Sequence, residues 1–230
     1  MWKIIGYSIA VYNDHVYPTW PYISDTAVIP PESCILSQLF AIGCILQVVV
    51  IYYRYLLIKH TVEIYSLQPI VTRMNKSSVW IGFTAVLGVS IISNFQKKTA
   101  STTHFLGVMM AFGLGSIYKI LHIILSIILY PKIGSKLIIG VRIAITCVCG
   151  TCLIMCAIFG YISFNQYNGK NVSRWLPQER GYTYHVISTV SEWITAIPVL
   201  LFLVTYAYEF KDILIYKSVF EIPSDITNIE

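Results

Sequence analysis

The chain has 230 residues, 56% of them hydrophobic and only 12% charged, with a formal net charge of +5. Soluble domains carry roughly 45–50% apolar and about 25% charged residues, so this composition excludes an ordinary soluble protein and implies a chain embedded in a membrane. The positive charge is spread along segments between apolar runs and does not gather on one basic face, which excludes a nucleic-acid-binding surface.

A helix needs about 20 mainly apolar residues to cross the hydrocarbon, and its backbone groups must be satisfied within the segment. The opening run, residues 1–11, is apolar enough but too short at about 1.5 Å per residue. It reads as the C-terminal half of a first helix, truncated at its start, with a re-entrant segment as the alternative. No small-residue cleavage site follows it, as a signal peptide would need. Next comes PYISDT at Pro21–Thr26, then PPES at Pro30–Ser33, an aromatic, acids, hydroxyls and prolines set against the start of a long apolar run. An ordinary membrane loop needs none of these, so a structured segment is expected there.

Five full spans follow, at about 33–53, 77–95, 102–129, 137–162 and 184–208, and residues 212–230 read as a solvated cytosolic tail. The expected fold is therefore all-α, one polytopic transmembrane helical bundle over residues 1–211, with six spans of which the first is truncated. If the spans alternate, one side collects Lys3, Arg54, Lys59, Arg73, Lys76, Lys132, Lys136, Arg142, Lys211 and Lys217. The other holds only Lys97, Lys98, Lys170, Arg174 and Arg180. The positive-inside rule puts the first group and both termini in the cytosol, and the PYISDT loop in a lumen or outside the cell. Of two glycosylation sequons, Asn171 lies in a lumenal loop and is expected to carry sugar, whereas Asn75 lies on the cytosolic side.

Within the spans, Cys147, Cys149, Cys152 and Cys156 lie close together and Cys149-Gly-Thr-Cys152 matches a redox pair, but thiols in a buried helix have no electropositive setting and read as packing. Gly107, Ala111 and Gly115, and likewise Ser33, Ser37 and Ala41, form small-residue stripes suited to close helix contacts. Lys119 lies deep in its span and is expected to face the bundle interior. Tyr52, Tyr53, Arg54 and Tyr55 read as an interfacial anchor.

The intramembrane polar residues carry the sharper signal. Glu192 lies eight residues into the last span, with His185 and Ser188 on its face at i−7 and i−4. His104, Asn94 and Gln96 sit at a similar level. With Asp25 and Glu32 of the first loop, these residues form a candidate lumenal polar pocket: Asp25, Glu32, Asn94, His104, His185 and Glu192. Such a set either binds a lipid headgroup or cation, or moves protons near neutral pH. The structural reading is that the same groups hold the loop onto the bundle, and Glu32 in particular is explained as an acid at a helix N-terminus after proline. No HExxH, GxSxG or phosphate-binding glycine loop is present, so no catalytic residue, cofactor or metal is expected.

Several ordered motifs together resemble the damage-regulated autophagy modulator (DRAM) family. They are PYISDT with PPES, IYYRY at Ile51–Tyr55, SNFQK at Ser93–Lys97, FGLGSIY at Phe112–Tyr118, PKI at Pro131–Ile133, GYTYH at Gly181–His185 and SEW at Ser191–Trp193. The resemblance implies a six-span, multi-pass protein of lysosomal or related endomembranes that promotes autophagy and, in some members, apoptosis, without a known reaction. It implies membrane lipids and other lysosomal membrane proteins as partners. Broader relatives take part in lipid remodelling, so a lipid-remodelling enzyme or lipid carrier using the lumenal pocket stands as the alternative. The chain departs from the family in lacking the first half of its first helix, in Ala27 where glycine is usual, and in Leu176 where asparagine is usual.

Overall fold

A computed structural model describes residues 2–211, with side chains from Ile5 onward. The tail expected over 212–230 lies outside the described residues. The first helix, α1, covers Trp2–Tyr12, and α2 covers Glu32–Ile64. Then come α3 at Pro69–Asn94 and α4 at Ser101–Leu129. Helix α5 covers Lys136–Gln166, α6 Tyr182–Val204 and the short α7 Ala207–Phe210. A single 3₁₀ turn, Asp25–Ala27, lies between α1 and α2, and no strand occurs among the described residues.

Among the described residues, five helical segments are long and apolar enough to cross a membrane, the last running over Tyr182–Phe210. Helix α1, with 11 residues, does not have the length. The helices overrun the apolar runs that suggest them: α2 continues to Ile64. Nothing in Leu56–Ile64 breaks a helix, and Ser66, with φ 46°, and Pro69 follow only afterwards. Pro69 itself begins α3, where its missing N–H goes unused.

Packing follows chain order: α1 on α2, α2 on α3, α3 along α4, α4 on α5, with α3 on α4 and α5 on α6 the two most extensively packed pairs. While α6 packs along α5, its neighbouring face, carrying Glu192, Ala196, Val199 and Leu200, looks across at α2, α3 and α4 and encloses space there.

The small-residue stripe on α4 is used in this packing. A Cβ added at Gly88 of α3 would stand 2.5 Å from the Ala111 nitrogen and 2.8 Å from the Gly107 oxygen, so the two backbones touch where both lack side chains. At this contact α4 widens into a π turn over Met109–Leu114. On α2, Ser37 Oγ donates to the Ser93 carbonyl of α3 at 2.5 Å. Cys149 lies buried against α6, its Sγ donating to the Thr195 carbonyl at 3.8 Å, and all six cysteines are free thiols.

Candidate functional site

The segment from Asn13 to Pro31 folds over one end of the bundle as a cap, held mainly through its own backbone. Ile23 N–H donates to Glu192 Oε2 at 2.6 Å. One residue along α6, Trp193 Nε1 donates to the Pro21 carbonyl at 2.9 Å. Tyr22 OH donates to Ser188 Oγ at 2.7 Å, and Ser188 passes its own proton to the Cys156 carbonyl at 2.7 Å. Three residues of α6, Ser188, Glu192 and Trp193, thus grip three consecutive residues of the cap. Outside that grip, Asp14 and Arg174 form a forked ion pair that ties the cap to the loop between α5 and α6.

The sequence-predicted residues divide into three groups. Asp25, His104 and Glu192 gather under the cap. Asp25 is buried in the 3₁₀ turn, with Lys97 Nζ 3.8 Å away and lying 4.5 Å from the Tyr22 ring centre. Burial pushes the Asp25 carboxyl above its ordinary value, and the Lys97 and His104 charges pull it partly back. Burial also raises the Tyr22 hydroxyl, against the hydrogen bond to Ser188 and with the help of the Glu192 and Asp25 charges. His104 Nδ1 donates to the Phe95 carbonyl at 2.8 Å, which fixes its tautomer. His104 and the half-buried Glu192 line one cavity.

Glu32 and His185 are buried near this group but are occupied separately. Glu32, 1% exposed, pairs with His15 Nδ1 at the mouth of α2. His185 is stacked on Trp175 at 4.3 Å with an angle of 4°, and Trp175 on Tyr167 at 4.3 Å. Tyr22 meets His185 edge-on at 5.0 Å. His185 therefore packs the α5–α6 loop between aromatic faces. Asn94 stands apart: it is exposed, and its side chain bonds back to the Ser90 carbonyl of its own helix. Asn171 is exposed in the loop after α5, whereas Asn75 is 2% exposed and donates to the Tyr55 carbonyl.

The cavity under the cap has a volume of about 130 Å³ and runs between α2, α3, α4 and α6. Of its polar groups, Ser24, Ser93, Gln96, His104 and Glu192 lie toward the cap, while Gln47 lies farther down. Below the cap-side groups the wall is Val89, Val108, Ala111, Phe112, Ala196 and Val199. A smaller space of about 50 Å³ shares part of that wall and continues to Tyr118 and Lys119. Lys119 is buried, as its depth in the span suggests.

The far end of the bundle holds a second polar cluster that the sequence reading did not bring together, with Arg54 read as an interfacial anchor and Arg142 as a cytosolic-side charge. Arg54 of α2, Arg142 of α5 and Glu209 of α7 meet there, with both arginines 0% and Glu209 7% exposed. Arg142 forks onto Glu209 at 3.0 and 2.9 Å, and also donates to Ser126 at 2.7 Å and Thr205 at 2.8 Å. Arg54 Nη1 lies 2.5 Å from Glu209 Oε2 as a charge contact, while its nitrogens make no regular hydrogen bond among the described residues. Both guanidinium groups face the Tyr206 ring, at 5.1 and 4.7 Å. Gly134, with φ +77°, lets the α4–α5 turn pass so close that a Cβ there would meet Glu209 Oε1 at 2.8 Å. Arg54 is thus a buried partner of Glu209 and not an interfacial anchor. The available signal was Arg142, a lone charge inside an otherwise apolar run.

Comparison with known proteins agrees with the motifs. The family model of the Frag1/DRAM/Sfk1/Cwh43P N-terminal domain matches residues 2–213. The chain belongs to this family. It is 32% identical over 216 residues to DNA damage-regulated autophagy modulator protein 2 of Mus musculus, covering 91% of this chain and 79% of that one. Identity to DNA damage-regulated autophagy modulator protein 1 of Homo sapiens is 31% over 225 residues, covering 97% and 90%. A more distant relative, the modulator of macroautophagy TMEM150B of Xenopus tropicalis, is 25% identical over 193 residues, covering 84% and 80%. No solved structure matches the chain. In this DRAM-family chain, PYISDT and SEW are the two sides of one contact, since Pro21, Tyr22 and Ile23 bond to Trp193, Ser188 and Glu192.

Proposed function

We propose that this DRAM-family protein acts in autophagy as a non-enzymatic, multi-pass regulator of lysosomal or related endomembranes, with a link to apoptosis. Its capped end faces the lumen and both termini face the cytosol. The observation that carries the reading is the end-to-end match to proteins named as autophagy modulators, over 91% and 97% of this chain. The geometry of the cap supports a regulator over a hydrolase. The acids and imidazoles suited to act as acid and base are engaged within the fold, with Glu192 on Ile23 and Glu32 on His15 holding the cap and His104 on Phe95 closing the α3–α4 connection. The cap presents a surface to other lysosomal membrane proteins, while membrane lipids surround the spans.

Deletion of the gene is expected to lower autophagic flux in starved cells, with wild-type protein restoring it. Unchanged flux would end this reading. In the same cells Asn171→Gln is expected to remove the glycan and Asn75→Gln to leave it. Sugar on Asn75 would invert the orientation.

A further inference from the structure

The space beneath the cap has the form of a binding site for a chain-like molecule. Its volume of about 130 Å³ is comparable with the roughly 150 Å³ apolar cavities that stay dry and take up small apolar guests. It also continues downward: Gln47, Val89, Ala111, Phe112 and Val199 line both this space and the smaller one below it. Measured along α6 from Glu192 to Leu203, the combined depth is roughly 16 Å at 1.5 Å per residue. The π turn of α4 supplies Ala111 and Phe112 to this wall, a placement in keeping with the frequent occurrence of π turns at functional sites.

The distribution of polarity gives the chemistry of the guest. The long wall is mostly apolar, interrupted by the Gln47 amide partway down, and suits one alkyl chain. Polar side chains gather at the upper end, and there a carboxylate, Glu192, is held in place by the Ile23 amide, with a second acid, Asp25, buried in the turn above. A head that donates hydrogen bonds meets acceptors at that level, whereas a carboxylate head meets like charge. The buried Lys119 at the lower end offers the opposite preference.

We propose that the cavity beneath the cap binds a single-chain amphiphile whose hydroxyl or ammonium head donates to Glu192 and whose tail runs down between α4 and α6. The proposal stands independently of the autophagy reading, because binding is measured without it.

The test uses the full chain in phospholipid nanodiscs and three photo-crosslinking probes of equal chain length: a monoacylglycerol, a long-chain amine and a fatty acid. The monoacylglycerol and the amine are expected to label α4 and α6 saturably near Ala111 and Val199, with the fatty acid at least ten-fold weaker. Glu192→Gln is expected to weaken the amine about ten-fold and the monoacylglycerol only a few-fold. Ala196→Trp and, from the facing wall, Val108→Trp each fill the slot and are expected to abolish labelling there. Equal labelling by all three heads, or labels confined to lipid-facing side chains, overturns the proposal on wild-type protein alone, whether or not the variants fold. Preference for the fatty acid, lost in Lys119→Met, would reverse the assigned direction and overturn it as well.

Discussion

The two ends of this bundle bury polar groups in opposite ways. At the arginine end, charge is set directly on charge: Glu209 lies between Arg54 and Arg142, and no described contact there involves a flexible loop backbone beyond the Gly134 turn. At the cap end, side chains of α6 hold main-chain groups of an irregular segment, and a cavity remains beneath. A buried ion needs an opposite charge, and Glu209, shared by two guanidinium groups, ties α2, α5 and α7 together. Hydrogen bonds to backbone amides and carbonyls hold a loop individually, each with modest net energy, so the cap can be loosened one bond at a time. The rigid end suits a structural clamp, and the capped end suits a surface or site that admits another molecule.

Glu209→Gln breaks this comparison at its strongest point. It leaves two guanidinium groups buried without a counter-charge, and loss of one partner of a buried pair typically removes about 3–5 kcal/mol. The expected outcome is a large drop in melting temperature in detergent or nanodiscs. A variant that melts with wild type would mean that water reaches the cluster and that the two ends do not differ in kind.

A smaller effect is expected at the cap. Trp193→Phe keeps the ring but removes the bond to the Pro21 carbonyl, at a cost of about 1 kcal/mol. Hydrogen exchange at the Ile23 amide, donated to Glu192, is expected to quicken while exchange in α5 stays unchanged. Equal quickening in both places would show that the cap and bundle unfold as one unit.

The smallest effect is the pH dependence carried by Asp25. Its pKa is raised in the fold by burial, so the folded chain binds that proton more tightly than the unfolded one. The resulting stability is fully present below the ordinary value of 3.8 and is lost as pH rises through the folded pKa. Acidification from about pH 7 to about 4 is therefore expected to favour wild type over Asp25→Asn in melting experiments, with Lys97 offsetting part of the difference. A difference independent of pH would place the carboxyl in contact with water.

Much of the architecture was legible in the residues. Long apolar runs with few charges specify helices because lipid offers no other partner for backbone groups, and the runs located all five segments of spanning length. The odd composition of PYISDT correctly signalled a structured segment, since prolines, an acid and an aromatic serve no purpose in a bare connection. Glu192 was recognisable from its depth, but its partner was not. That partner is the amide of Ile23, and main-chain groups leave no mark in the sequence. Asn94 shows the limit of judging by level alone: sitting at the right height, it turns outward and bonds to its own helix.

The arginine end was misread for a related reason. Arg54 and Glu209 each occur beside the end of an apolar run, where charges ordinarily reach water, and Arg142 lies near the start of one. Their burial depends on α2, α5 and α7 bringing these three positions to the same height.

The sequence alone determined that this is a membrane-embedded bundle of helices, because hydrophobicity and backbone satisfaction are local properties read along the chain. Family membership was likewise written in short ordered motifs. Only the tertiary structure decided which polar groups meet, since pairs such as Tyr22 with Ser188 or Arg142 with Glu209 come from elements distant along the chain. The cavity also belongs to the tertiary structure: it exists because α6 packs on α5 and leaves its neighbouring face across from α2, α3 and α4, a vacancy that no single helix encodes.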